Sequence, residues 1–169
     1  MWSSVLRSLT TGYFLICLKT FGLVKNLGEL DLGAIVIFIV SMGIVVIFPI
    51  FCNNFLKSNI NNLDNPVFIA KYGTLIENVK IPKNNEKKTY LTVVIFLIKR
   101  LLIALVTEYV DTLPVIQIAT SMFITIASFS FTYNYKPMIS NYLNWIDLAN
   151  DVLFMSLNYF LFLFTVYII

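Results

Sequence analysis

The chain has 169 residues, of which 59% are hydrophobic and only 12% are charged, and its formal net charge is +3. Soluble domains usually carry about 25% charged residues, and a soluble fold of this size cannot hide so many apolar side chains from water. The composition therefore excludes an ordinary soluble domain and predicts a single domain whose main partner is the lipid bilayer. The small positive charge comes from clustered lysines and does not indicate a nucleic-acid partner.

A transmembrane helix needs about 20 predominantly apolar residues, and several segments approach this requirement. In chain order, the candidate spans are residues 8–27, 32–55, 90–110, 114–135 and 150–169. The first and third contain basic residues, so each either crosses the bilayer or lies in its interface. Pro49 lies inside the second and predicts a kink there. The predicted fold class is all-α, a polytopic transmembrane helix bundle of about five spans.

Charge asymmetry predicts the orientation of these spans. The loop at residues 56–89 holds six lysines against three acidic residues, so the positive-inside rule places it in the cytoplasm. The connection around Glu108 and Asp111 has no lysine or arginine and is expected on the opposite side. We expect one transmembrane domain over residues 1–169 in a multi-pass protein, located in the plasma membrane more than in an organelle.

Polar residues recur along one face of the predicted helix 114–135, at spacings of four, four, three and four. They are Gln117, Ser121, Thr125, Ser128 and Thr132, and they fall within an arc of roughly 80°. This polar stripe has two interpretations. It lines a water-filled permeation path, or it forms a helix contact in which small hydroxyl residues permit close approach. The second interpretation is favoured.

Charged residues near two predicted helix ends form a candidate charge cluster of Lys99, Arg100, Asp147 and Asp151. Asp147 and Asp151 either cap the last helix and compensate its dipole, or pair with Lys99 or Arg100, because an unpaired charge in lipid is costly. The two cations either need partners near mid-membrane or reach lipid phosphates from the interface. The sequence leaves these alternatives open.

The sequence offers no recognisable catalytic centre. It has no histidine, and Cys17 and Cys52 both lie in apolar runs, where buried free thiols are expected. It also has no glycine-rich phosphate loop and no serine or cysteine beside a base. We therefore predict that the protein is not an enzyme and carries no metal and no cofactor.

Several short motifs follow one another in a fixed order. They are Lys71 to Glu77, Phe96 to Leu102 with Lys99-Arg100, then Gln117, Lys136-Pro137, and Asn144 to Asp151. This order resembles the membrane region of large ciliate transmembrane proteins, which in turn resemble the fungal transient-receptor-potential-like (polycystin-like) channel family. The resemblance implies a role in ion transport and a chain that matches only the C-terminal membrane region of that family.

An alternative class is a non-conducting structural or accessory subunit of a larger membrane complex. In that case the polar stripe is a partner-binding face, and the partners are other membrane subunits or a second copy of the chain. A second polar stripe on another span would favour a pore. The span 32–55 offers only Ser41 and the polar atoms near Asn53, which argues against a pore.

Overall fold

A computed structural model describes residues 2–25, 31–63, 65–76, 79, 91–110 and 113–168. Its helices are α1 (Trp2–Lys25), α2 (Leu32–Ser58), α3 (Pro66–Tyr72), α4 (Leu91–Tyr109), α5 (Pro114–Tyr135) and α6 (Asn141–Ile168). Single 3-10 turns at Ile60–Asn62 and Gly73–Leu75 flank α3. Within the described ranges, β-type pairing is limited to one isolated bridge between Val79 and Met138. The predicted all-α fold is confirmed.

Three of the described helices are long and apolar enough to cross a membrane. They are α2, α5 and the part of α6 over Asn141–Thr165. Only about a fifth of each of these helices is buried inside the bundle, so their outer faces require an apolar solvent. The structure therefore supports a multi-pass membrane protein with three candidate spans, where the sequence predicted about five.

Helix boundaries agree with prediction for α5 and differ for α6. The last helix begins at Asn141, nine residues before the predicted start of the span at residue 150. The predicted span began beside the last charged residue. A carboxylate can lie inside a helix, however, so the helix itself begins earlier. Asp147 and Asp151 consequently lie one turn and more inside α6, and its first turn holds no acidic residue. The interpretation of these two residues as N-terminal caps is wrong, because the dipole effect fades within one turn.

Other predicted boundaries shift by a few residues. Helix α1 begins at Trp2 where residue 8 was predicted, and α2 continues to Ser58. The predicted loop at 56–89 contains α3. Several predicted features lie outside the described residues, namely residues 26 and 27, Glu77, the loop residues 80–90, Asp111 and Ile169.

Local chemistry explains where two of the membrane helices begin and end. The Asp31 carboxylate accepts a hydrogen bond from the Ala34 backbone N–H at 2.8 Å, which caps the start of α2. Helix α5 ends at Tyr135, and the φ of 42° at Lys136, its C-cap, turns the chain out of the helix. The next residue, Pro137, has no N–H to continue the helix. The α5–α6 connection is therefore short, and the two helices become antiparallel neighbours.

The buried core lies where α1 packs against α2 and α4. Tyr13, Cys17, Cys52 and Leu97 are fully buried there. Both cysteines are free thiols, as predicted. Helices α5 and α6 pack mainly against each other, and α5 also contacts α4, so α4 joins the two halves of the bundle.

Candidate functional site

Polar side chains of α5 meet polar side chains of α6 in a regular antiparallel register. The Ser121 hydroxyl donates to Oδ1 of Asn158 at 3.2 Å, and the Thr132 hydroxyl donates to Oδ2 of Asp147 at 3.2 Å. The two contacts are eleven residues apart on both helices, as packing of two uniform antiparallel helices requires. The same register places Ser128 opposite the second carboxylate of α6.

The polar stripe of α5 therefore lies within helix contacts. Ser121, Thr125 and Thr132 are 7%, 0% and 3% exposed. Gln117 reaches α4 instead, where its side-chain amide donates to the backbone carbonyl of Thr107 at 3.2 Å. Gln117, Ser121 and Thr125 thus lie within helix contacts, whereas Ser128 and Thr132 line a cavity described below, where Thr132 also bonds Asp147.

An ion pair connects α4 to α6. Lys99 Nζ donates to Oδ1 of Asp151, and the two side chains are 20% and 5% exposed. This is one of the pairings that the sequence left open. A buried ion pair contributes little net stability, but the loss of one partner is costly because it leaves the other charge uncompensated.

Arg100 makes different contacts from its neighbour Lys99. Its Nη1 donates to the backbone carbonyl of Thr10 in α1 at 2.8 Å, and its guanidinium lies 4.0 Å from the centre of the Phe96 ring. Successive helical residues point about 100° apart, so Lys99 and Arg100 cannot both face α6. Sequence spacing treated the two cations as equivalent, whereas the helix directs one toward α6 and the other toward α1.

We expect Arg100→Met to loosen the α1–α4 contact and to lower the free energy of unfolding by about 1.5–3 kcal/mol, the range for hydrogen bonds that involve a charged group. The measurement is denaturant unfolding in detergent micelles, followed by helical circular dichroism. Lys19→Met, at an exposed cation of α1, is the matched control and should change stability little. Equal stability of the two variants would contradict a structural role for the Arg100 contact.

A cavity of about 670 Å³ lies between α1, α4, α5 and α6, at the end of the bundle where α5 finishes and α6 starts. This volume is within the range of small-molecule sites. All four residues of the candidate charge cluster line it, together with one further cation. The charged lining residues are Arg7, Lys99, Arg100, Asp147 and Asp151. The cluster therefore exists as a shared cavity wall and is not a single bonded network.

Three buried polar atoms among the described residues have no hydrogen-bond partner. They are Oδ2 of Asp151, Oγ1 of Thr74 and Oγ1 of Thr92, and all three residues line this cavity. Buried polar groups in folded proteins are paired in the great majority of cases. The unpaired atoms themselves are shielded from the open space. The gathering of five charged side chains around one space inside the bundle marks the cavity as the candidate functional site.

Sequence reasoning missed one buried contact between α1 and α2. Pro49 has no N–H, so the carbonyl of Val45, four residues earlier, lacks its helical donor. The Tyr13 hydroxyl donates to that carbonyl at 2.7 Å. The proline signals the unpaired carbonyl from the sequence alone, but the identity of the donor depends on how α1 packs against α2.

These contacts define the class of the protein: an all-α membrane bundle whose buried polar groups join its helices and line one charged cavity. No protein-family model matches the chain, and no curated protein and no solved structure matches it. Among the described residues, no three Cys, Asp or Glu side chains lie together as a metal site would require.

Proposed function

We propose that this chain is a non-conducting structural subunit of a larger membrane complex. The observation that carries the proposal is the position of the polar stripe of α5. Its members Ser121, Thr125 and Thr132 are buried; Ser121 and Thr132 bond α6, and Thr125 bonds the backbone of its own helix. A stripe that lined a permeation path would instead face an open, water-filled space. The stripe joins helices, which is the role of small polar residues in membrane bundles.

The proposal includes α1 and α4 as membrane-crossing helices, which makes five spans with the basic loop at 56–89 in the cytoplasm. At about 1.5 Å per residue, the 24 residues of α1 and the 19 of α4 reach lengths comparable to the hydrocarbon core. The two charges in the middle of α4 are accommodated inside the bundle, by Asp151 and by the α1 backbone. Helix α4 therefore fits a bilayer despite its two charges.

The outer surface supports a role in assembly. Helix α2 exposes isoleucine and valine side chains along its length; Ile37, Ile39 and Ile47 are each more than 60% exposed. Lipid or the apolar face of another subunit can cover such a surface. The plasma membrane is the proposed location, which imaging of a tagged full chain tests.

Reconstitution of the purified chain into planar bilayers tests the proposal, and the expected result is no conductance. Cysteine accessibility provides a second measurement. In lipid vesicles, Thr125→Cys should resist a water-soluble maleimide because this position is fully buried, whereas Asn141→Cys, at the exposed start of α6, should react. The native thiols, both buried, are the unlabelled background. Rapid labelling of Thr125→Cys would contradict the structural role.

Ion transport is the second candidate function, and the charged cavity is the observation that favours it. The cavity places three cations and two carboxylates around one space inside the bundle, and ionisable groups within membrane bundles commonly mark ion pathways. The resemblance to transient-receptor-potential-like channels implies the same function. Conductance that changes in Thr125→Leu would support this candidate and overturn the first.

A further inference from the structure

Helix α3 is held at the depth of the last turn of α2. The Phe55 ring of α2 stacks on the Phe68 ring of α3, with ring centres 5.7 Å apart, and meets the Tyr72 ring edge-on at 4.9 Å. Phe55 lies in the last turn of α2, which ends at Ser58. Since α2 is a candidate membrane span, α3 is fixed beside the end of a span.

The end of α2 reaches the headgroup region of a bilayer. At about 1.5 Å per residue, the 27 residues of α2 extend over about 40 Å, whereas the hydrocarbon core is about 30 Å thick. Helix α2 is uncharged from Leu32 to Leu56, and its first charged residue is Lys57. The chain around Lys57, and α3 beside it, therefore lies at the boundary between hydrocarbon and headgroups.

Two further observations place a membrane boundary at this end of the bundle. Val79, which follows α3 and its 3-10 turn, forms the β-bridge with Met138 in the α5–α6 connection. The ends of two other candidate spans therefore lie at the same end of the bundle as α3. Tyr133, Tyr142 and Trp145 of those spans are more than half exposed, and exposed tyrosine and tryptophan side chains are typical of the membrane–water interface.

The exposed surface of α3 is continuous with the lipid-facing surface of α2. Phe51, which is 45% exposed on α2, stacks on Phe55 with ring centres 5.4 Å apart, and Phe55 carries α3 on its other neighbours. On α3 itself, Val67 is 75% exposed. A side chain as apolar as valine favours acyl chains over water, so the same lipid that covers α2 can cover α3.

Two lysines supply positive charge at this surface. Lys57 at the end of α2 and Lys71 near the end of α3 are both exposed. Among the described residues neither lysine forms an ion pair, and the Lys71 ammonium lies 5.3 Å from the centre of the Tyr72 ring. Lysine side chains at the end of a span extend toward the phosphates of the headgroups, which are the anions available at this depth.

We propose that α3 lies in the bilayer interface, with Val67 against the upper acyl chains and with Lys57 and Lys71 bound to the phosphates of anionic phospholipids. Apolar and basic side chains on one exposed surface bind such an interface together. A second copy of the chain does not fit this surface, because its own lysines would meet like charges. The inference requires that α2 crosses the bilayer and does not depend on whether the chain conducts ions.

Fluorescence quenching by lipids that carry a nitroxide measures the depth of α3. An environment-sensitive fluorophore is attached to Val67→Cys in the full chain in phosphatidylcholine vesicles; the native cysteines are buried and stay unlabelled. Quenching should be strongest when the nitroxide is beside the headgroup. Ile47→Cys, at an exposed position near the middle of α2, is the reference and should be quenched most by a nitroxide deep in the acyl chains.

A comparison of anionic and zwitterionic quenchers tests the two lysines. At equal mole fractions, nitroxide-labelled phosphatidylglycerol should quench the label at Val67→Cys more than phosphatidylcholine, with a local enrichment of about fivefold for each lysine. Lys57→Gln and Lys71→Gln should each lower this enrichment about fivefold, whereas Lys57→Arg and Lys71→Arg should preserve it. Lys19→Gln, at an exposed lysine of α1, is the matched control and should leave the enrichment unchanged. Circular dichroism checks that each variant stays helical.

Every other outcome overturns the proposal. Quenching of the label at Val67→Cys by aqueous iodide and not by lipid would show that α3 projects into water. Quenching mainly by the deep nitroxide would place α3 in the hydrocarbon core, and protection from both iodide and lipid would show that protein covers this surface. Equal quenching by the two lipids, or an enrichment that the glutamine variants leave intact, would exclude phosphate contacts by the lysines. None of these results bears on the bilayer conductance that tests the proposed function.

Discussion

Lys99→Met is expected to destabilise the protein by about 3–5 kcal/mol, the cost of leaving one charge of a buried pair without its partner. Asp151 is almost fully buried, and its Oδ1 is held by Lys99. Methionine preserves most of the length of the lysine side chain, so the lost charge dominates the effect. Denaturant unfolding in detergent, followed by circular dichroism, measures the change in the free energy of unfolding.

The double variant Lys99→Met/Asp151→Leu distinguishes the ion pair from simple packing. Replacement of both charges by apolar groups is often nearly neutral, so the double variant should recover most of the lost stability. A second pair of double variants tests which cation faces Asp151. The charge exchange Lys99→Asp/Asp151→Lys should be tolerated better than Arg100→Asp/Asp151→Arg, because Arg100 faces α1. If the arginine exchange is rescued and the lysine exchange is not, the assignment of partners is wrong.

Tyr13→Phe is expected to cost about 1–3 kcal/mol of stability, because it leaves the Val45 carbonyl buried without a donor. The size of this effect should depend on Pro49. Pro49→Ala restores the backbone N–H that the Val45 carbonyl lacks in α2. In that background the tyrosine hydroxyl becomes dispensable, and Tyr13→Phe should cost clearly less.

A double-mutant cycle of Tyr13→Phe and Pro49→Ala measures this coupling directly, with thermal unfolding in detergent as the readout. Tyr142→Phe, at a tyrosine that is 73% exposed, is the matched control and should leave stability unchanged. Additive effects of the two substitutions would show that the hydroxyl does not replace the missing helical donor.

The polar stripe shows what helical periodicity can predict and what it cannot. Spacings of three and four placed Gln117, Ser121, Thr125, Ser128 and Thr132 on one face of a helix. Periodicity does not state what that face contacts, so a pore and a helix contact were both compatible with it. The structure shows α6 opposite Ser121 and Thr132 and α4 opposite Gln117.

The charged residues show that the sequence can group charges without specifying their partners. The cost of unpaired charge in lipid made it reasonable to group Lys99, Arg100, Asp147 and Asp151. Their partners depend on the rotation of each helix about its axis, which no local pattern specifies. The carboxylate at 147 contacts Thr132 of α5, and Arg100 contacts the α1 backbone.

The sequence by itself determined that the protein is helical and that its long uncharged runs belong in lipid, because hydropathy and helical period are local properties that depend only on the order of residues. It also placed Pro49, which has no backbone N–H, inside the second span. Only the tertiary structure decided which donor reaches Val45, which cation meets Asp151, and that five charged side chains line one cavity. Those outcomes depend on contacts between helices far apart in the chain, and their geometry follows from how the helices pack as a whole.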